Sequence, residues 1–78
     1  MEYCVGMIVR AIAGRDKNSF FVISSIEGDT AYIVNGKRRP VEKAKKKKLK
    51  HLAATNTVAK DFDTNRKVRK LLSEFQDN

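Results

Sequence analysis

The chain has 78 residues, enough for one small domain and too few for a deep substrate pocket beside a full core. Seventeen Lys and Arg against nine Asp and Glu give a net charge of +8, which points to a polyanionic partner, nucleic acid ahead of an anionic membrane surface. A single cysteine excludes an internal disulfide, and neither paired carboxylates, a Ser/His/Asp grouping nor a glycine-rich phosphate loop suggests an enzyme or a cofactor.

From the N-terminus, Glu2 stands where a secretion signal would carry basic residues ahead of a long apolar stretch. No uncharged run approaches the roughly 20 residues of a membrane span. The reading is a reduced, cytoplasmic protein. Cys4 lies among apolar residues and reads as a small buried hydrophobe. Residues 5–13 (VGMIVRAIA) have strand character and stop at Gly14. Residues 19–26 (SFFVISSI) form a second such run, closed by Glu27-Gly28-Asp29, and residues 30–34 (TAYIV) a third. Phe20 and Phe21, being adjacent, face opposite sides of their strand, so at least one belongs to the core. Asn35-Gly36 fits a two-residue hairpin turn with residues 37–43 (KRRPVEK) as the return strand. Pro40 then confines that strand to an edge or an interruption. Leu49 and His51 would share one face of a fifth strand at about 47–51, with Lys48 and Lys50 on the other. Residues 53–62 read as a connector. A helix follows, capped by Asp63 or Thr64, with Asp61 and Asp63 at its positive end. Val68, Leu71, Leu72 and Phe75 form its apolar stripe, and Arg66, Arg69, Lys70 and Ser73 point away. Asp77 and Asn78 are expected to fray.

Short strands at this spacing, strongly twisted, can close on themselves and so remove exposed edges. The expected fold is mainly β: a small five-stranded SH3-like barrel over residues 1–54, a connector over 55–62, and one C-terminal α-helix over 63–76 packed on the barrel. The loop between the first two strands is bracketed by Gly14 and Asn18, residue types that accept the left-handed conformation. Arg15, Asp16 and Lys17 should stand clear of the core there, Asp16 bracing the loop as an Asx turn.

The stretch GMIVRAIAGRDKNSFFVI resembles a KOW motif, the RNA-binding hairpin of several ribosomal proteins and transcription elongation factors. NGKRRPVEKAKKKKLKHL is similar to one branch, the bacterial KOW-domain RNA-binding proteins that resemble the large-subunit ribosomal protein of the fourteen-e type. Gly6, Val9, residues 13–17, the Phe21-Val22 pair, residues 36–39 and residues 50–52 carry the likeness. Asn18 departs from it, since the family usually has glycine there. Asparagine is the next-best residue at positive φ, so the loop shape should survive. The resemblance implies an SH3-like barrel that binds RNA, most of all ribosomal RNA of the large subunit, with ribosomal proteins as further neighbours, a place on the ribosome, and no catalysis.

Arg15, Arg38 and Arg39 are the candidates for shaped contacts, because a guanidinium can grip phosphate in two places or stack on a base. Arg10, Lys17, Lys37, Lys43, Lys45, Lys46, Lys47, Lys48 and Lys50 would supply a broader field. The plainer reading of these charges is a solubilising surface, but such surfaces mix signs, and residues 43–60 contain no acid. His51 could touch a phosphate or sit half-buried in a structural role. One His and one Cys do not make a metal site. Base stacking by Phe20, Phe21 or Tyr32 is a weaker expectation than recognition of RNA shape and phosphate. The alternative function is a protein-interaction adaptor in a transcription or ribosome-assembly complex. An anionic-membrane binder lacks a broad amphipathic face.

Overall fold

A computed structural model describes residues 2–76; Asp77 and Asn78 lie outside the described residues. The strands are β1 (Met7–Ala11), β2 (Phe20–Glu27), β3 (Thr30–Val34), β4 (Lys45–Lys48) and β5 (Leu52–Val58), and one helix, α1 (Asn65–Gln76), follows them. They form one antiparallel sheet in the order β4-β3-β2-β1-β5. The edge strands β4 and β5 are joined by a single 3₁₀ turn, Leu49–His51. Laid flat, the two edges would stand about 19 Å apart, four strand spacings of about 4.8 Å. A 3₁₀ turn advances only about 2 Å per residue, so Lys48 and Leu52 are separated by about 8 Å of travel. The sheet is therefore curled into a barrel-like shape. The turn is pinned at both ends, with Leu49 N–H donating to Asp29 O and Ile12 N–H donating to His51 O. The fold is the expected one, mainly β with a C-terminal helix.

The strands read as nearly continuous apolar runs because both faces are covered. Inside the curl lie Met7, Val9, Ala11, Phe21, Ile23, Ala31, Ile33 and Leu52. On the outer face, Ile8, Val22 and Val34 stand side by side across three strands, since Ile8 opposes Val22 and Val22 opposes Val34. Val68 and Leu72 of α1 bury that row, with Phe20 and Phe75 meeting edge to face at 5.3 Å beside it. The helix thus covers the outside of the sheet. Each aliphatic side chain so buried contributes about 1.5–3 kcal/mol. Phe21 is core and Phe20 faces the helix, as their adjacency requires.

Thr64 caps α1: its Oγ1 accepts the Lys67 N–H at 3.2 Å. Asp61 and Asp63 both hold the Lys67 ammonium, at 3.0 and 3.1 Å. That contact keeps the Asp63 carboxyl below the ordinary carboxylate range and the Lys67 ammonium above its own.

Three expectations need correction. Residues 37–43 are not a return strand. The Asn35 side-chain oxygen accepts the N–H groups of Lys37 and Arg39, which closes a loop, and Pro40 opens a 3₁₀ turn over Val41–Lys43. The run at 47–51 is no fifth strand: Lys47 and Lys48 end β4, residues 49–51 turn, and β5 occupies 52–58, which had read largely as connector. Cys4 is exposed, not buried.

The loop 35–44 is locked to the start of α1. Asn65 accepts the Val41 N–H at 2.8 Å and donates to Glu42 at 2.7 Å, and Arg69 Nη1 donates to Gly36 O at 2.8 Å. The Asn65 bond holds the Glu42 carboxyl below its ordinary value. Gly36 sits at φ +77°, and a Cβ there would lie 2.5 Å from Asn65 O. Gly36→Ala should therefore cost about 2 kcal/mol or more, from the left-handed backbone and the clash together. An unchanged urea midpoint would show that this junction tolerates a side chain.

Candidate nucleic-acid interface

The β1–β2 loop has the backbone that its residues predict. Gly14 lies at φ +83° and Asn18 at φ +73°. Asn18 N–H donates to Ala11 O at 2.7 Å, Lys17 N–H to Gly14 O at 3.2 Å, and Ser19 N–H to Asp16 O at 2.9 Å, so the loop is closed by its own backbone. Arg15 and Lys17 are exposed at the tip. Arg10, half-buried on β1, donates to the Asn18 side-chain oxygen at 2.9 Å and so braces the loop's exit.

Asp16 is not part of the exposed tip. Its side chain is 5% exposed and turns inward, where Arg39 Nη2 lies at 3.2 Å and Lys45 Nζ at 3.9 Å. The correction has a physical cause: a carboxylate that can reach two cations is better satisfied there than by an Asx turn. Through it the β1–β2 loop, the 35–44 loop and the start of β4 share one electrostatic contact.

The lysine run is divided by the pleat of β4. Lys45 and Lys47 oppose Ile33 and Ala31, whose side chains fill the barrel interior, so they point toward the β1–β2 loop. Lys47 is buried, and its ammonium donates to Ala13 O at 2.8 Å. Gly14 leaves room for it, since a Cβ there would stand 3.0 Å from Lys47 Nζ. Lys46 and Lys48 take the opposite face and are exposed; Lys48 lies 3.8 Å from Asp29, a solvent-exposed pair of small energetic weight. Lys47 therefore does not join an outward field.

Lys37 and Arg38 are exposed on the 35–44 loop, and Lys43 is exposed in its 3₁₀ turn. Arg39 is half-buried, and its Nε is buried without a hydrogen-bond partner. In the turn before β5, Lys50 is exposed and His51 half-buried. The structure thus brings together Arg39, Lys45 and Asp16, and sets Lys47 against the same loop at Ala13. Arg69 reaches the basic loop at Gly36 O although its sequence position assigned it to the far side of the helix. Nothing in the helical periodicity signals that reach, because Gly36 lies 33 residues away. Among the described residues no group of three His, Cys, Asp or Glu side chains could hold a metal ion, and no helix is long and apolar enough to cross a membrane.

Fold and cluster together define a small basic β-barrel-like domain with its cationic loops braced on one buried carboxylate. No protein-family model matches the chain, and no curated protein matches it.

The divided run makes a test by removing one positive charge at a time. Lys47→Gln should lower stability by about 1–3 kcal/mol, because the shorter amide does not reach the Ala13 carbonyl and leaves it buried without a donor. Lys46→Gln should stay within about 0.5 kcal/mol of the parent. Equal urea midpoints for the two variants would contradict the assignment of faces.

Proposed function

We propose that the protein is a non-enzymatic RNA-binding module whose target is structured RNA. The observation that carries this reading is the rigid β1–β2 loop, holding Arg15 and Lys17 in solvent while Asp16 ties it to Arg39 and Lys45. Preorganised cations lose little conformational freedom when they meet phosphate. Exposed Lys37, Arg38, Lys43, Lys46, Lys48 and Lys50 add a broader attractive field. The KOW resemblance gives the finer reading: ribosomal RNA of the large subunit as the ligand, and a cytoplasmic protein associated with ribosomes.

A second reading, a protein-interaction adaptor in a transcription or ribosome-assembly complex, draws on a different feature. Among the described residues the edge strand β5 pairs with β1 alone and ends at Val58, which is 50% exposed, and Val5 is 49% exposed. Pull-down with and without nuclease separates the two: partners that survive nuclease favour the adaptor.

Filter binding to ribosomal RNA fragments over a salt series tests the main proposal. With six phosphate contacts, affinity should fall roughly a thousandfold between 50 and 200 mM salt. Arg15→Ala with Lys17→Ala should reduce the slope of log affinity against log salt by about two units. A response flat with salt, or no binding at low salt, would remove the proposal.

Asp16→Asn distinguishes shape from net charge. It makes the protein more positive, so a purely diffuse attraction would strengthen. If the braced loop matters, affinity should instead fall about tenfold, from about 0.5–1.5 kcal/mol of ordering for each cation set free. Competition binding at one fixed salt concentration reads the sign directly.

A further inference from the structure

A groove of about 410 Å³ runs between the β1–β2 loop, the start of the 35–44 loop and the second half of α1. It is lined by Asn18, Phe20, Asn35, Lys37, Arg69, Ser73 and others, with no acidic side chain among the described residues. Its volume is at the small end of the range for small-ligand sites, roughly 300–1,000 Å³, which suits one nucleotide and not a duplex. Other grooves on the protein differ in kind: one is lined by Lys60 with Asp61 and Asp63, and another by Phe20, Thr57, Phe75 and Gln76, with no cation among the described residues.

The polar groups of this groove are already oriented. Arg10 occupies the Asn18 side-chain oxygen, so the Asn18 NH₂ remains as a donor. The Asn35 oxygen is taken by two backbone N–H groups, which leaves its NH₂ in the same condition. The Arg69 side chain is anchored through Nη1 on Gly36 O and makes no other hydrogen bond among the described residues, so the rest of its guanidinium fork can meet a ligand. Phe20 is half-buried, held on one side by Phe75, and lines the groove with part of its remaining surface. Donors, two cations and one aromatic ring together match a ligand that is anionic, rich in acceptors and partly planar.

We propose that this groove takes one unpaired nucleotide of the bound RNA, with its phosphate at Lys37 and Arg69 and its base against Phe20 beside the Asn18 and Asn35 amides. The inference rests on the RNA-binding reading and adds α1 to the footprint. It makes the ligand a paired stem carrying a bulged or looped-out residue: the stem meets the β1–β2 loop and the displaced nucleotide enters the groove.

The test uses two RNA hairpins with the same stem, one fully paired and one with a single bulged nucleotide, measured by fluorescence anisotropy at one salt concentration. The parent protein should bind the bulged hairpin about tenfold more tightly, within the effect of one base stacked on an aromatic ring. Ser73→Leu fills the groove from an exposed helical position without changing charge, and should bring the ratio of the two affinities close to one. Lys37→Gln, on an exposed loop side chain, should lower that ratio as well. Equal affinities of the parent for the two hairpins, or a ratio that Ser73→Leu leaves unchanged, would overturn the groove proposal while leaving RNA binding intact. Absent binding of both hairpins, or binding that a repeat at higher salt leaves unchanged, would overturn the two readings together.

Discussion

One buried carboxylate links the parts of the molecule that have no covalent reason to stay together. Asp16 sits on a loop that could otherwise move freely, and Arg39 sits on another; 23 residues separate them in sequence. Removing Asp16 from water is costly, and only the nearby cations make it tolerable. In return, the contact fixes how the β1–β2 loop lies against β4. The exposed Arg15 and Lys17 inherit that rigidity although neither touches the pair. Geometry at the surface is thus set by a charge interaction beneath it.

The same logic orders the lysines. A run of like charges in sequence suggests a single repelling tail, but a strand cannot present successive residues to one side. β4 sends Lys45 and Lys47 toward an interior that offers Asp16 and the Ala13 carbonyl, and leaves Lys46 and Lys48 in water. Part of the positive charge is structural and part is available. The helix adds to the available part through Arg66 and Lys70, which are exposed, whereas Lys67 is held by Asp61 and Asp63.

Much of this architecture could be read from the chain. The apolar runs at β1, β2 and β3, the glycine and asparagine that bracket the first loop, and the helical stripe of Val68, Leu71, Leu72 and Phe75 announce themselves through period and residue type, although Leu71 is only half-buried and stays outside the cluster under the helix. The misread segments share a cause. Asn35-Gly36 is a strong local signal for a hairpin, but the Asn35 side chain bonds forward to Lys37 and Arg39, and a wide loop results. β5 has Ala53, Ala54 and Asn56 in its middle and no apolar run, and its pairing with β1 settles it as a strand. Burial of Asp16 depends on a partner distant in sequence, and the Arg69 contact depends on where the helix lands. Neither leaves a trace in local pattern.

The placement of α1 also bears on how the chain is made. Synthesis delivers all five strands before the helix that shields the outer side of their sheet. Until Val68 and Leu72 emerge, Ile8, Val22 and Val34 form a greasy stripe open to any passing apolar surface. A nascent chain at that stage is sticky in a way the finished one is not, and its safest course is to complete the last element quickly or to be sheltered by a chaperone meanwhile.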